Sequence, residues 1–142
     1  MFKILIAVDG SDNALRAVDF VVSQAPLYKD ELEIHLLNAQ LPVASGTVTR
    51  FVGRKQLESY HQDEGVAALA AARRRLDGAG VRYQHHICVG AYAETIIACA
   101  RERDCNMIVM GARGLGAVAG LLLGSVATKV IHLSAVPVLI VK

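Results

Sequence analysis

A chain of 142 residues, 54% hydrophobic and 20% charged, is long enough to bury a core and too apolar to be disordered or collagen-like, so one domain over residues 1–142 is expected. A formal net charge of +2 gives no reason to expect nucleic acid as a partner, and Arg73, Arg74 and Arg75 read as the solvated flank of a helix. Cys88, Cys99 and Cys105 are odd in number, lack CxxC spacing and sit among apolar residues, which fits buried free thiols in a reducing cytoplasm.

In chain order, Lys3–Val8 (KILIAV) is the first predicted strand. The opening reaches Asp9 too soon for an export leader. Ala14, Ala17, Val18 and Val21 follow at i, i+3, i+4 and i+7, the stripe of an amphipathic helix that stops before Pro26. Leu32–Ala39 is the second strand. The stretch Gln40–Arg54 is long for a connection and is expected to form a mobile flap near a crevice mouth. A second helix over Gln56–Asp77 puts Leu69, Ala72 and Leu76 on one face and ends at Gly78 and Gly80. Val81–Val89 is the third strand, and Ala93–Glu102 the third helix with Ala93, Ile96, Ile97 and Ala100 inward. Asn106–Met110 is the fourth strand. The fourth helix begins at Ser125, with Val126, Val130 and Leu133 available for packing, and Pro137–Val141 is the last strand.

Alternation of this kind predicts an open α/β fold, a parallel sheet covered on both faces by right-handed crossovers. In such sheets a ligand binds beyond the carboxyl ends of the strands where the strand order reverses, here between the loop Asp9–Ser11 and the glycine run after strand four. The final strand is short and almost wholly aliphatic, and as a sheet edge it needs cover; a homodimer pairing these edges is the economical arrangement.

The run GARGLGAVAGLLLGS, Gly111 to Ser125, holds five glycines, and no carboxylate side chain follows Asp104. Its uncharged part is shorter than the ~18 residues of a membrane helix, so no membrane association is expected. A Walker loop needs lysine where Ala117 stands. GLGAVA at Gly114–Ala119 imitates a dinucleotide fingerprint, but the acidic residue needed about twenty positions on is missing. What remains is Gly111, Gly114, Gly124 and Ser125. Gly111 and Gly114 turn the chain off strand four and admit a ligand to bare backbone N–H groups. Gly124 and Ser125 open a helix whose free N–H groups and dipole favour an anion. The competing structural explanation is a loop of no special purpose with Ser125 as a helix cap. Gly116 and Gly120, which created the false fingerprint, are expected to matter less.

With ILIAVDGS, LLNAQ, VGAYAETI, IVMGARG, GSVATKVI and PVLIVK in place along its full length, the chain resembles the universal stress protein superfamily. It matches at every defined position the G-x2-G-x9-G-S/T nucleotide motif of the ATP-binding class. The resemblance implies a Rossmann-like, three-layer α/β/α fold of the adenine nucleotide alpha hydrolase type, with strand order 3-2-1-4-5. It also implies dimerisation through Val136–Val141, and ATP in the crevice, alone or with Mg carried on its phosphates. Carried over residue by residue, Asp9 meets the adenosine end with Ala7 and Val8 beside it, and the Ala39 backbone pairs with adenine. Met110 and Gly111, Gly114, Gly124 and Ser125 hold ribose and phosphates, with Arg113 and the Val126 N–H as neighbours. The Asn38–Ala39 pair departs from the commoner His-Val and offers the base less apolar contact.

No general base is evident beside the phosphates, so at most slow hydrolysis is expected. His85 and His86 face opposite ways on their strand, His86 and Cys88 alone make a poor zinc site, and His35, His61 and His132 read as isolated. The expected function is a cytoplasmic, ATP-binding regulatory module of the stress response. The alternatives are a dimeric interaction module that binds no nucleotide, and a slow ATPase or phosphotransferase.

Overall fold

The computed structural model describes residues 1–29, 31–43, 53–116 and 118–142. Five strands, β1 (Phe2–Ala7), β2 (Leu32–Gln40), β3 (Tyr83–Val89), β4 (Met107–Gly111) and β5 (Val138–Val141), form one sheet in the order β3-β2-β1-β4-β5. Every pairing is parallel, which is the expected topology. Four α-helices lie among the described residues: α1 (Asp12–Gln24), α2 (Arg54–Gly78), α3 (Tyr92–Glu102) and α4 (Ser125–Leu133). The expected flap falls largely on residues 44–52, which lie outside the described residues.

Strand alternation divides the core in two. Ile4 and Ile6 of β1 and Val8 just after it, with Ile34 and Leu36 of β2 and Val109 of β4, pack under Ala14, Ala17, Val18 and Val21 of α1 and Leu69, Ala72 and Leu76 of α2. Leu5, Leu37, Ile108 and Met110 face the other way, against Ala93, Ile96, Cys99 and Ala100 of α3 and Ala127 and Val130 of α4. Two inward assignments change. Ile97 is half-buried while Cys99 is buried, and Leu133 is exposed while Ala127 takes the second core position of α4. A nine-residue helix turns only Ala127 and Val130 fully toward the sheet.

Helix α2 lies so close to the sheet that a Cβ on Gly65 would fall 2.6 Å from the Ile87 side chain. It ends in a Schellman turn, with Val81 N–H on Leu76 C=O at 3.1 Å, Gly80 N–H on Asp77 C=O at 3.1 Å, and Gly80 at φ 67°. That turn uses Val81, so β3 begins at Tyr83 rather than at Val81. Arg74 and Arg75 are exposed, as expected of a solvated flank, and two of the three arginines also make side-chain contacts. Arg75 joins α2 to Asp19 of α1 at 2.5 Å, and half-buried Arg73 donates to the Tyr83 hydroxyl at 3.3 Å.

Cys99 and Cys105 are buried and Cys88 is half-buried, all as free thiols; burial pushes Cys99 and Cys105 up to about 11. His35 is not isolated. Its Nε2 stands 2.6 Å from Glu33 Oε1 and its Nδ1 2.9 Å from His86 Nε2. A carboxylate only accepts, so His35 Nε2 donates to Glu33, and one proton lies between His35 Nδ1 and His86 Nε2.

Burial, reinforced by Arg103, His35 and His85, lowers the His86 pKa to about 4. An unfolded chain takes up that proton near pH 6.5, so this contribution to stability is complete above pH 6.5 and is lost as the pH falls toward 4. Urea midpoints measured from pH 7.5 to 4 should therefore fall more steeply for the natural chain than for His86→Gln. Parallel curves would show that His86 stays neutral for no energetic reason.

Candidate functional site

The β1–β2 ladder stops at Val8. Its N–H donates to Leu37 C=O at 2.8 Å, and its C=O accepts from the buried Asn38 Nδ2 at 2.9 Å. The N–H and C=O of a strand residue point to the same side, and successive residues alternate. Leu37 points at β1, and the Gln40 C=O accepts Gly90 N–H at 2.7 Å on the β3 side. Ala39 therefore turns its donor and acceptor toward β1, above the point where β1 has ended. A main-chain donor–acceptor pair opens into the crevice there.

The crevice crosses the carboxyl ends of β1, β2 and β4 with a volume of about 730 Å³, within the range of small-molecule sites. Ala7, Val8, Asp9, Ala39, Met110, Gly111, Arg113, Gly114, Gly124, Ser125 and Val126 all border it. Sequence separation across this set exceeds one hundred residues, and the reversal of strand order beside β1 brings the two ends together.

Asp9 joins the two loops. Its Oδ1 accepts Ser11 N–H at 2.9 Å and its Oδ2 accepts Leu115 N–H at 2.9 Å, while Ser11 Oγ caps α1 by accepting from Ala14 N–H at 3.2 Å. The motif glycines also serve the protein's own packing. A Cβ on Gly111 would stand 2.8 Å from the Asn13 backbone, and one on Gly114 would collide with Asp9 Oδ2. Gly124 donates to Ala112 C=O at 2.7 Å, so the chain leaves β4 and returns to nearly the same point. Gly116 and Gly120 have φ of 72° and 87° in open surroundings, so they serve as turn formers in that excursion.

At the far end, α4 starts from Gly124 as its N-cap, with no side-chain cap bond. Ser125 is the first helical residue, not the cap, and its exposed hydroxyl has no hydrogen-bond partner among the described residues. The free N–H groups of the first turn thus meet the crevice beside Ser125 and Arg113, an arrangement suited to an anion. Glu94, the acidic residue in the first turn of the neighbouring α3, is paired with Lys129.

Several crevice residues carry no sequence motif. Leu41, Tyr60, Glu64, Ala68, Tyr92 and Ile96 border it as well, and all but Glu64 supply the apolar area that Ala39 lacks. Tyr60, Glu64 and Ala68 lie at four-residue spacing beside the core stripe of α2, a second stripe that the sequence displays. Leu41 has no such signal. His61, read as isolated, sits 2.8 Å by its Nδ1 from Gln40 Oε1.

The universal stress protein family model matches residues 1–142. A universal stress protein of Thermus aquaticus is 36% identical over 143 residues, covering 100% of both chains. Among solved structures, the hypothetical protein MJ0577 superposes with a TM-score of 0.85 at 29% identity, over 99% of this chain and 95% of its own. A universal stress protein in complex with cAMP gives 0.69 at 29% identity, over 99% and 96%. One from Archaeoglobus fulgidus in complex with dAMP gives 0.73 at 25% identity, over 100% and 98%.

If Asp9 fastens the loop after β4, Asp9→Ala should raise hydrogen exchange at the Leu115 amide roughly tenfold, as expected for losing about 1.5 kcal/mol of charge-assisted bonding. Gly114→Ala should do the same by displacing the carboxylate. Unchanged exchange in both would mean that other contacts hold the loop.

Proposed function

The chain belongs to the universal stress protein family, and from that premise we propose that it is an adenine-nucleotide-binding regulatory module with ATP as ligand. The observation that carries the reading is the start of α4. A helix N-terminus opens into the crevice with glycine as its cap and an unengaged serine hydroxyl at its first residue, which leaves its donors to phosphate oxygens. The complexes of related proteins with cAMP and dAMP support an adenine ligand.

In this reading the base lies at Ala39, whose N–H donates to adenine N1 and whose C=O accepts from the N6 amino group. Guanine presents the opposite polarity at those two atoms and is refused. Asp9 holds the loop over the nucleoside, Gly111 and Gly114 flank the ribose, Gly124 leaves room beside the phosphates, and Ser125, the Val126 N–H and Arg113 receive them. Among the described residues no cluster of three or more His, Cys, Asp or Glu is arranged to hold a metal, so Mg enters carried by the phosphates. Binding and exclusion are what these residues are equipped to do, which favours a nucleotide-dependent signal over rapid turnover. We place the homodimer contact at β5, an edge strand of this sheet.

The interaction-module reading has one observation in its favour: Leu115, Val118, Leu121 and Leu122 are exposed along the same loop. Both readings separate on nucleotide analysis of freshly purified, denatured protein, since only the first expects bound adenine nucleotide. No helix among the described residues is long and apolar enough to cross a membrane.

Calorimetric titration with ATP should give binding that Ser125→Ala weakens by about 1.5–3 kcal/mol, the contribution of a hydrogen bond to a charged oxygen. GTP should bind far more weakly than ATP. Equal ATP affinity in Ser125→Ala removes the phosphate role of this residue, and no binding to the natural chain removes the whole reading.

A further inference from the structure

We propose that Gln40 is a positioning residue for the base end of the crevice, clamping α2 through His61 so that Tyr60 stands as a stacking wall for a purine. This rests on the adenine-nucleotide reading above and assigns residues outside the glycine motif to it.

Three hydrogen bonds, two of them to His61, hold the Gln40 carboxamide. Its Nε2 donates to Asn38 Oδ1 at 2.9 Å and to His61 C=O at 2.8 Å, and its Oε1 accepts from His61 Nδ1–H at 2.8 Å. The reverse orientation of the amide would set its oxygen against two acceptors, so only this one satisfies all partners. Asn38 in turn holds Val8 C=O. An unbroken series of hydrogen bonds therefore runs from the end of β1, across β2, to the third turn of α2.

That attachment matters because of what the start of α2 otherwise lacks. From Arg54 to Glu64 every residue is exposed except Leu57 and His61, which are half-buried; the first fully buried residue is Gly65 against Ile87. Among the described residues the Gln40–His61 pair is the polar tie between these first turns and the sheet. Tyr60 precedes His61, meets its ring edge-on with centroids 5.4 Å apart at 66°, and borders the crevice while 51% exposed. Fixing His61 fixes the rotation of this end of the helix, and with it the side from which the Tyr60 ring enters. Gln40 adjoins Ala39 in the chain, so the wall and the main-chain donor–acceptor pair share the same end of the crevice. A flat, wide base uses both, since its edge pairs with Ala39 and its face lies on the tyrosine.

The test is a double-mutant cycle read by ATP titration, with the natural chain, Gln40→Ala, Tyr60→Ala and the double variant. Tyr60→Ala should lose about tenfold in affinity, as for removal of one stacking partner. Gln40→Ala should approach that loss, and the double variant should bind no more weakly than Tyr60→Ala, because Gln40 acts through the ring. His61→Phe cuts the same clamp from the helix side while leaving β2 intact, and it should reproduce Gln40→Ala even if that variant folds poorly. Full affinity in both Gln40→Ala and His61→Phe, or losses that multiply in the double variant, would overturn the positioning role while leaving nucleotide binding in place. Absence of ATP binding by the natural chain overturns the adenine reading and this proposal together.

Discussion

The bond from Val8 N–H to Leu37 C=O is the last rung between β1 and β2, and the candidate site depends on the ladder stopping there. One rung more and Ala39 would be paired within the sheet, with no polar group left to face a ligand. One rung fewer and Asn38 would lose the carbonyl that keeps its buried amide satisfied, at a cost of about 1–3 kcal/mol for an unpaired polar group. The end of β1 thus sets both the depth of the crevice and the chemistry of its floor. The divergence of α1 and α2 to one face and α3 and α4 to the other keeps that floor uncovered.

Around this point the residues that line the crevice also serve the protein's own packing. Gly111 is bare because the first turn of α1 rests on it, and Gly114 is bare because the Asp9 carboxylate closes over it. Asp9 in turn connects the loop after β1 to the loop after β4 through two backbone amides. The glycine motif is therefore a packing requirement of two loops as well as, in the proposed reading, an opening for phosphate. A substitution there disturbs the loop geometry before any ligand arrives.

The strand and helix periods were legible because each element has its own short-range repeat, and their alternation fixed a parallel sheet. The register that stops β1 at Val8 was not legible, since it depends on pairing between residues some thirty positions apart. Likewise His35 and His61 looked solitary in the chain because their partners, His86 and Gln40, lie on neighbouring elements. Boundary shifts had local causes, as where the Schellman turn at Gly80 takes Val81 away from β3. Of the site, the glycine spacing was visible. The aromatic wall was half visible as the Tyr60, Glu64 and Ala68 stripe, which a reading tuned to buried residues passes over. Ser125 read as a ligand contact with a helix cap as the competing explanation, and the cap proved to be Gly124.

The outward-turned main chain at Ala39 has a consequence for descent. A recognition element built from an amide and a carbonyl is inherited with the sheet itself, and side-chain substitution at that position, short of proline, leaves it standing. If the proposed adenine reading holds, relatives that have drifted far in sequence can keep the same reader of a base edge, while a change several residues away that shifts the strand register abolishes it. Retention of the site across such proteins is then better traced by the lengths of neighbouring strands than by the identity of the residue that does the reading.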